Sequence, residues 1–156
     1  TLAQTIPITG ILIVTTPQEV AMNVAVKALG MFSKLNVPIL GIIENMSYFM
    51  CPHCQQRIYV FGKGGGKKVS DRFNVPFLGE IPLHPQIMEG SDVGKPVAIS
   101  EIGSIETKAF TDVAKTVAGR ISIIATTMKE NDKIGPNTPA QDDQGARTEP
   151  QSISQP

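Results

Sequence analysis

The sequence predicts an α/β fold with a mostly parallel sheet flanked by helices. Three short apolar runs carry that expectation. ILIVT (residues 11–15), VPILGII (37–43) and FLGEI (77–81) are rich in branched aliphatic side chains. Runs of this kind read as strands buried on both faces, as in a parallel sheet. Helical patterns lie between and after them, and strands alternating with helices give this fold class.

The elements follow in chain order. Thr16-Pro17-Gln18-Glu19 offers a helix start, with Thr16 as N-cap, Pro17 at the first helical position and Glu19 able to close a capping box. The helix it opens is amphipathic. Ala21, Val24, Ala28, Met31 and Leu35 form one stripe, opposite Asn23, Lys27, Gly30 and Lys34. With the run at 37–43 this makes a β-α-β unit, expected to be right-handed. Residues 44–61 break the pattern and contain both cysteines; 57–61 read as a short exposed strand. The glycines at 62–66 lead to a helix at 67–73, Pro82 ends the third strand, and helices follow at 85–89 and from about 104 to 124. From Lys129 the chain is rich in Pro, Gln and Asp and poor in large apolar side chains. Such a stretch cannot bury enough surface to offset chain entropy, so a domain at 1–128 is expected with a disordered tail at 129–156.

Bulk composition narrows the function. At 156 residues one ordinary core is expected. The chain is 41% hydrophobic and 18% charged, and its formal net charge is zero. That balance gives no reason to expect a nucleic-acid or membrane partner, since both draw on excess Lys and Arg. No apolar run approaches the roughly 20 residues that span a bilayer. The opening TLAQTIPITG lacks the pattern of a secretory signal, and it also lacks an initiator Met, as a piece of a longer chain would. Both cysteines fall in Cys51-Pro52-His53-Cys54, too close in sequence for a disulfide framework. A cytoplasmic protein with metal or redox chemistry fits better.

Three signals bear on that chemistry. The CPHC segment is the sharpest, because two thiolates separated by two residues can grip one metal or one cluster edge. A closed zinc site needs four ligands, and beyond the cysteines only His53 and His84 are of the usual type. Two chains giving two cysteines each would complete a four-thiolate set. C-x-x-C is also a thiol–disulfide motif, in which the first Cys sits at a helix N-terminus. Here the following QQRIYVF reads as hairpin or strand. Metal or cluster binding leads, a redox site comes second, and two unconnected surface thiols come third. The second signal, GKGGGKK at 62–68, suggests a phosphate loop but fails it. Phe61 stands where that motif needs Gly, and Lys68 where it needs Ser or Thr. A turn before a helix is the better reading. The third is Glu44-Asn45-Met46-Ser47, at the C-terminal end of a core strand, where open α/β sheets bind ligands. The Asn45 amide offers the donor and acceptor an adenine edge requires, although polar turn formers are the plainer reading.

Taken together these residues resemble the Mrp/ApbC family of iron–sulfur carrier P-loop ATPases, relatives of MinD and ParA. The resemblance rests on TLAQTIPITGILIVTTPQEVA, NVPILGIIENMSYFMCPHC, FGKGGGKK and VPFLGEIPLHPQIMEGSDVGKPV, in this order. It implies the C-terminal part of a P-loop NTPase fold and a homodimer. It implies a [4Fe–4S] cluster bridging two subunits on Cys51 and Cys54 of each, handed on to apo iron–sulfur proteins. It implies that Asn45 contacts adenine and that Pro82, Leu83 and His84 border the base. Thr1 to Thr5 would follow the Walker B and switch region as a helical segment. The family's phosphate loop with its signature Lys, and its acidic Mg²⁺ region, lie upstream of Thr1. ATP and Mg²⁺ binding are therefore expected of the complete protein. This chain alone is expected to hydrolyse little ATP and to leave sheet edges open.

Overall fold

The computed structural model describes residues 5–6 and 8–133. Three strands, β1 (Ile11–Thr15), β2 (Ile39–Glu44) and β5 (Phe77–Glu80), form a parallel sheet in the order β1-β2-β5. A separate antiparallel hairpin joins β3 (Phe49–Met50) to β4 (Arg57–Ile58). The helices are α1 (Glu19–Lys34), α2 (Gly65–Phe73), α3 (Pro85–Asp92), α4 (Val97–Ser100) and α5 (Ile105–Lys133).

The sheet is buried on both faces because its strands carry apolar side chains in both directions. Ile42 and Ile43 are adjacent on β2 and point to opposite sides. Ile42 packs with Ile13, Ala25, Leu29 and Val69 under α1 and α2. Ile43 packs with Leu78, Ile81 and Val113 under α5. The result is a three-layer α/β/α domain. Gly41 permits the close approach of β5 to β2. A Cβ there would lie 2.5 Å from the Pro76 carbonyl oxygen and 2.6 Å from Leu78 Cγ, and its φ of 152° is one that L-residues rarely adopt.

Several elements differ in detail from the sequence expectation. α1 begins at Glu19 with Gln18 as N-cap and no side-chain cap, so the expected Thr16 capping box is not made. Thr16 Oγ1 instead lies 3.2 Å from Gln18 Oε1, to which it donates. The buried face of α1 is also rotated from the expected stripe. Ala25 and Leu29 are buried and Met22, Val26 and Ala28 pack beside them, while Val24 and Met31 are 64% and 52% exposed. The cause is the sheet's position, since one side of this helix faces open space rather than a strand. Ala21, Val24, Ala28 and Phe32 line an apolar groove of about 780 Å³ with Ile11 and Val14 of β1. β1 is an edge strand, with no described strand on its far side.

α4 was not anticipated, β4 is shorter than the exposed strand expected at 57–61, and α5 runs past residue 124 to Lys133. Residues 129–133, read from sequence as the start of a disordered tail, therefore continue a helix. The rest of that tail, 134–156, and most of the segment at 1–5 lie outside the described residues. No helix among the described residues is long and apolar enough to cross a membrane.

Candidate functional site

The two cysteines sit at the tip of the β3–β4 hairpin, whose ladder pairs Phe49 with Ile58 and Met50 with Arg57. Residues 51–56 close the turn. Cys51 N–H donates to the Gln56 carbonyl at 3.0 Å, Gln55 N–H donates to the Cys51 carbonyl at 2.8 Å, and Gln55 adopts a left-handed φ of 54°. Both thiols are free; Cys51 is half-buried and Cys54 exposed. The Cys51 thiol is held below its ordinary pKa, first by the backbone N–H of Cys54, then by that of His53 and by the Cys54 thiol. Donors aimed at one sulfur favour the thiolate, which is both the metal ligand and the nucleophile. A hairpin turn supplies them here, not the helix N-terminus of a thioredoxin-like site. His53 is exposed. Among the described residues no group of three or more His, Cys, Asp and Glu is placed to hold a metal ion.

The shift has a direct consequence in the metal-free chain. Alkylation of Cys51 should rise with pH at a midpoint below the ordinary thiol value of about 8.5. The thiolate carries the reaction, so a lowered pKa moves the curve to lower pH. Iodoacetamide rates followed by peptide mass spectrometry read it, and a Cys51 midpoint at or above the ordinary value contradicts the hydrogen-bonded turn.

The glycine run has a structural use that the sequence only half discloses. It forms a turn and then α2, which begins at Gly65 rather than at Lys67 as expected. The N-terminus of α2 abuts Glu44, at the end of β2, a side chain to which the sequence assigned no role of its own. Glu44 is fully buried. Its carboxylate accepts from Gly66 N–H at 2.5 Å and from Ser47 Oγ–H at 2.6 Å. An acidic group therefore stands at the helix end where a phosphate loop would receive phosphate. Gly66 makes room for it, since a Cβ there would lie 3.1 Å from Glu44 Cβ. One signal was available: an acidic residue closing the apolar run ILGIIE needs a buried partner.

Asn45 and residues 82–84 follow the C-terminal ends of neighbouring strands β2 and β5. Backbone bonds run between the two segments: Ile81 N–H to the Glu44 carbonyl, Ser47 N–H to the Ile81 carbonyl, and Leu83 N–H to the Tyr48 carbonyl at 2.7 Å. Asn45 is half-buried, borders the apolar groove beside β1, and accepts from Met46 N–H through Oδ1 at 3.0 Å. Pro82 is buried, and Leu83 and His84 are half-buried. His84 caps α3, its Nδ1 accepting from Gln86 N–H at 3.3 Å, while its Nε2 lies 3.8 Å from Glu106 Oε1. The two segments thus form one strand-end edge, and the cysteine hairpin leaves the sheet beside it.

Comparison with known proteins gives the family. Residues 1–118 match the family model described as ParA: NUBPL iron-transfer P-loop NTPase. The chain is 44% identical over 124 residues to the iron-sulfur cluster transfer protein NUBPL of Dictyostelium discoideum, covering 80% of this chain and 38% of that one. It is 47% identical over 126 residues to the iron-sulfur cluster carrier protein of Synechocystis sp., covering 80% of this chain and 36% of its relative. It thus spans under two fifths of the length of these relatives. Among solved structures, a nucleotide-binding protein from Archaeoglobus fulgidus in complex with ADP aligns with a TM-score of 0.50 at 35% identity, over 63% of this chain and 42% of that one. The cell division ATPase MinD of Pyrococcus furiosus aligns with a TM-score of 0.52 at 26% identity, over 69% of this chain and 41% of that one. With its MinD-like α/β sheet and a family match over most of its length, the chain belongs to the ParA family of NUBPL-type iron-transfer P-loop NTPases.

Proposed function

We propose that this chain is the cluster-holding part of an iron–sulfur carrier, with one [4Fe–4S] cluster bound between two copies by Cys51 and Cys54 of each. The observation that carries the reading is the hairpin tip: two free thiols in one turn, with backbone donors favouring the Cys51 thiolate. One chain offers two thiolates, and a four-iron cluster takes four. A homodimer supplies the set. The cluster is cargo, and attachment by two ligands per subunit leaves it open to capture by apo iron–sulfur proteins. The relatives' names, cluster carrier and cluster transfer protein, support the same role.

Nucleotide enters through the longer protein. Asn45, Pro82, Leu83 and His84 border the adenine in this reading, supported by the strand-end edge they share and by the ADP held in the Archaeoglobus relative. The phosphates and Mg²⁺ are held by an upstream phosphate loop, since the glycine run is already engaged with Glu44. The open edge of β1 and its apolar groove take the rest of the sheet. ATP hydrolysis belongs to that complete, cytoplasmic protein, and the chain alone is inactive.

Anaerobic reconstitution with iron and sulfide tests the cargo. The expected product is coloured and holds about four irons and four sulfides per pair of chains. A colourless protein that takes up zinc and no sulfide would replace the carrier reading with an inter-subunit zinc site.

A further inference from the structure

The hairpin that carries the cysteines is too small to hold itself. Each of its strands is two residues long. Two-stranded ribbons of this size are marginal at best in water. Among the described residues, no helix or other strand packs extensively on it. Nor does apolar burial fix β4, where Ile58 is 46% exposed, with Val60 beyond it at 56%.

Arg57 is the side chain that reaches from β4 back to the domain. Its Nη1 lies 3.1 Å from Glu80 Oε2, on the last residue of β5. Its guanidinium carbon lies 4.0 Å from the centroid of the Tyr48 ring. Tyr48 is a firm platform: it is 6% exposed, and its carbonyl accepts from Leu83 N–H. A planar guanidinium can stack on a ring and pair with a carboxylate at once, which a lysine ammonium does less well. On the ladder Arg57 pairs with Met50, the residue before Cys51. The clamp therefore acts at the base of the turn that presents both sulfurs.

Resting on the cluster reading above, we infer that Arg57 is a positioning residue for the metal site, holding the turn of Cys51 and Cys54 through Glu80 and Tyr48. It touches neither sulfur nor cargo in this role. It narrows the arrangements of the turn to the one that presents two thiols together, and loosening it releases iron faster.

The test uses the full chain with Arg57→Glu, Glu80→Arg and the charge-swapped double variant. Amide hydrogen exchange on the metal-free proteins reads the clamp itself. The Cys51 and Gln55 amides, both bonded within the turn, should exchange about three- to tenfold faster in each single variant, with sheet amides unchanged. The double variant should exchange more slowly than either single, since it restores the ion pair though not the stacking on Tyr48, and a general loss of stability would not be relieved in this way. Iron release to bipyridyl from the reconstituted proteins should follow the same order. Should Arg57→Glu not fold, Arg57→Gln removes the charge at similar length and takes its place. Turn amides that exchange at the wild-type rate in the single variants, or a double variant as fast as the singles, would overturn the clamp. If wild type takes up no iron, the cluster reading fails while exchange still decides the clamp. If wild type holds a cluster that the single variants release no faster, only the positioning role fails.

Discussion

Replacing Cys51 and Cys54 together by Ser should reduce iron uptake from about four atoms per pair of chains to background, because a serine hydroxyl does not replace a thiolate on iron. The hairpin tip lies outside both apolar clusters, so the fold should survive. Surface changes of this kind move stability by only about 0.5 kcal/mol. Each single Ser variant should also lose most of its cluster, since a shared site then drops from four thiolates to two. Iron and acid-labile sulfide assays after anaerobic reconstitution, beside a urea unfolding curve, check both halves. A double variant that keeps its iron and sulfide would move the site elsewhere in the chain.

The second large effect is on stability. Glu44→Ala should cost about 3 kcal/mol, combining a buried N–H and hydroxyl left without an acceptor with the hollow of the missing side chain. The loss arises because Gly66 N–H and Ser47 Oγ–H both point at this carboxylate in a site closed to water. Glu44→Gln keeps an acceptor for one and an amide for the other, so it should cost about 1 kcal/mol. Urea midpoints at equal slope measure the difference. If Glu44→Ala loses less than its Gln counterpart, the carboxylate does not hold α2 to the sheet.

The sheet was legible because its strands are continuous apolar runs. A strand buried on both faces has no polar side to disguise it, and Ile11–Thr15, Ile39–Glu44 and Phe77–Glu80 fall close to where those runs lie. α1 was legible as a helix but not in its orientation. Periodicity shows that a helix has an apolar side, whereas which part is covered depends on strands beside it. Here Val24 faces a groove and Ala25 the core. The cap failed for a related reason, since Thr16 bonds Gln18 instead of the first turn. In the site, the C-x-x-C spacing disclosed one turn that carries both thiols, because such spacing is local. Its supports were not disclosed. Glu44 with Gly66, and Arg57 with Glu80, are pairs separated by 22 and 23 positions, joined only by the fold. His84 was read as part of a base-binding loop; its ring also caps α3, a contact made two residues away.

Native mass spectrometry of the anaerobically reconstituted chain decides whether two chains share one cluster. The expected result is one species of two chains carrying a single four-iron, four-sulfide cluster, reverting to apo chains when the cluster is removed by chelation. A cluster borne by a single chain, or a dimer whose cluster survives in the double Ser variant, would contradict a cluster shared through Cys51 and Cys54.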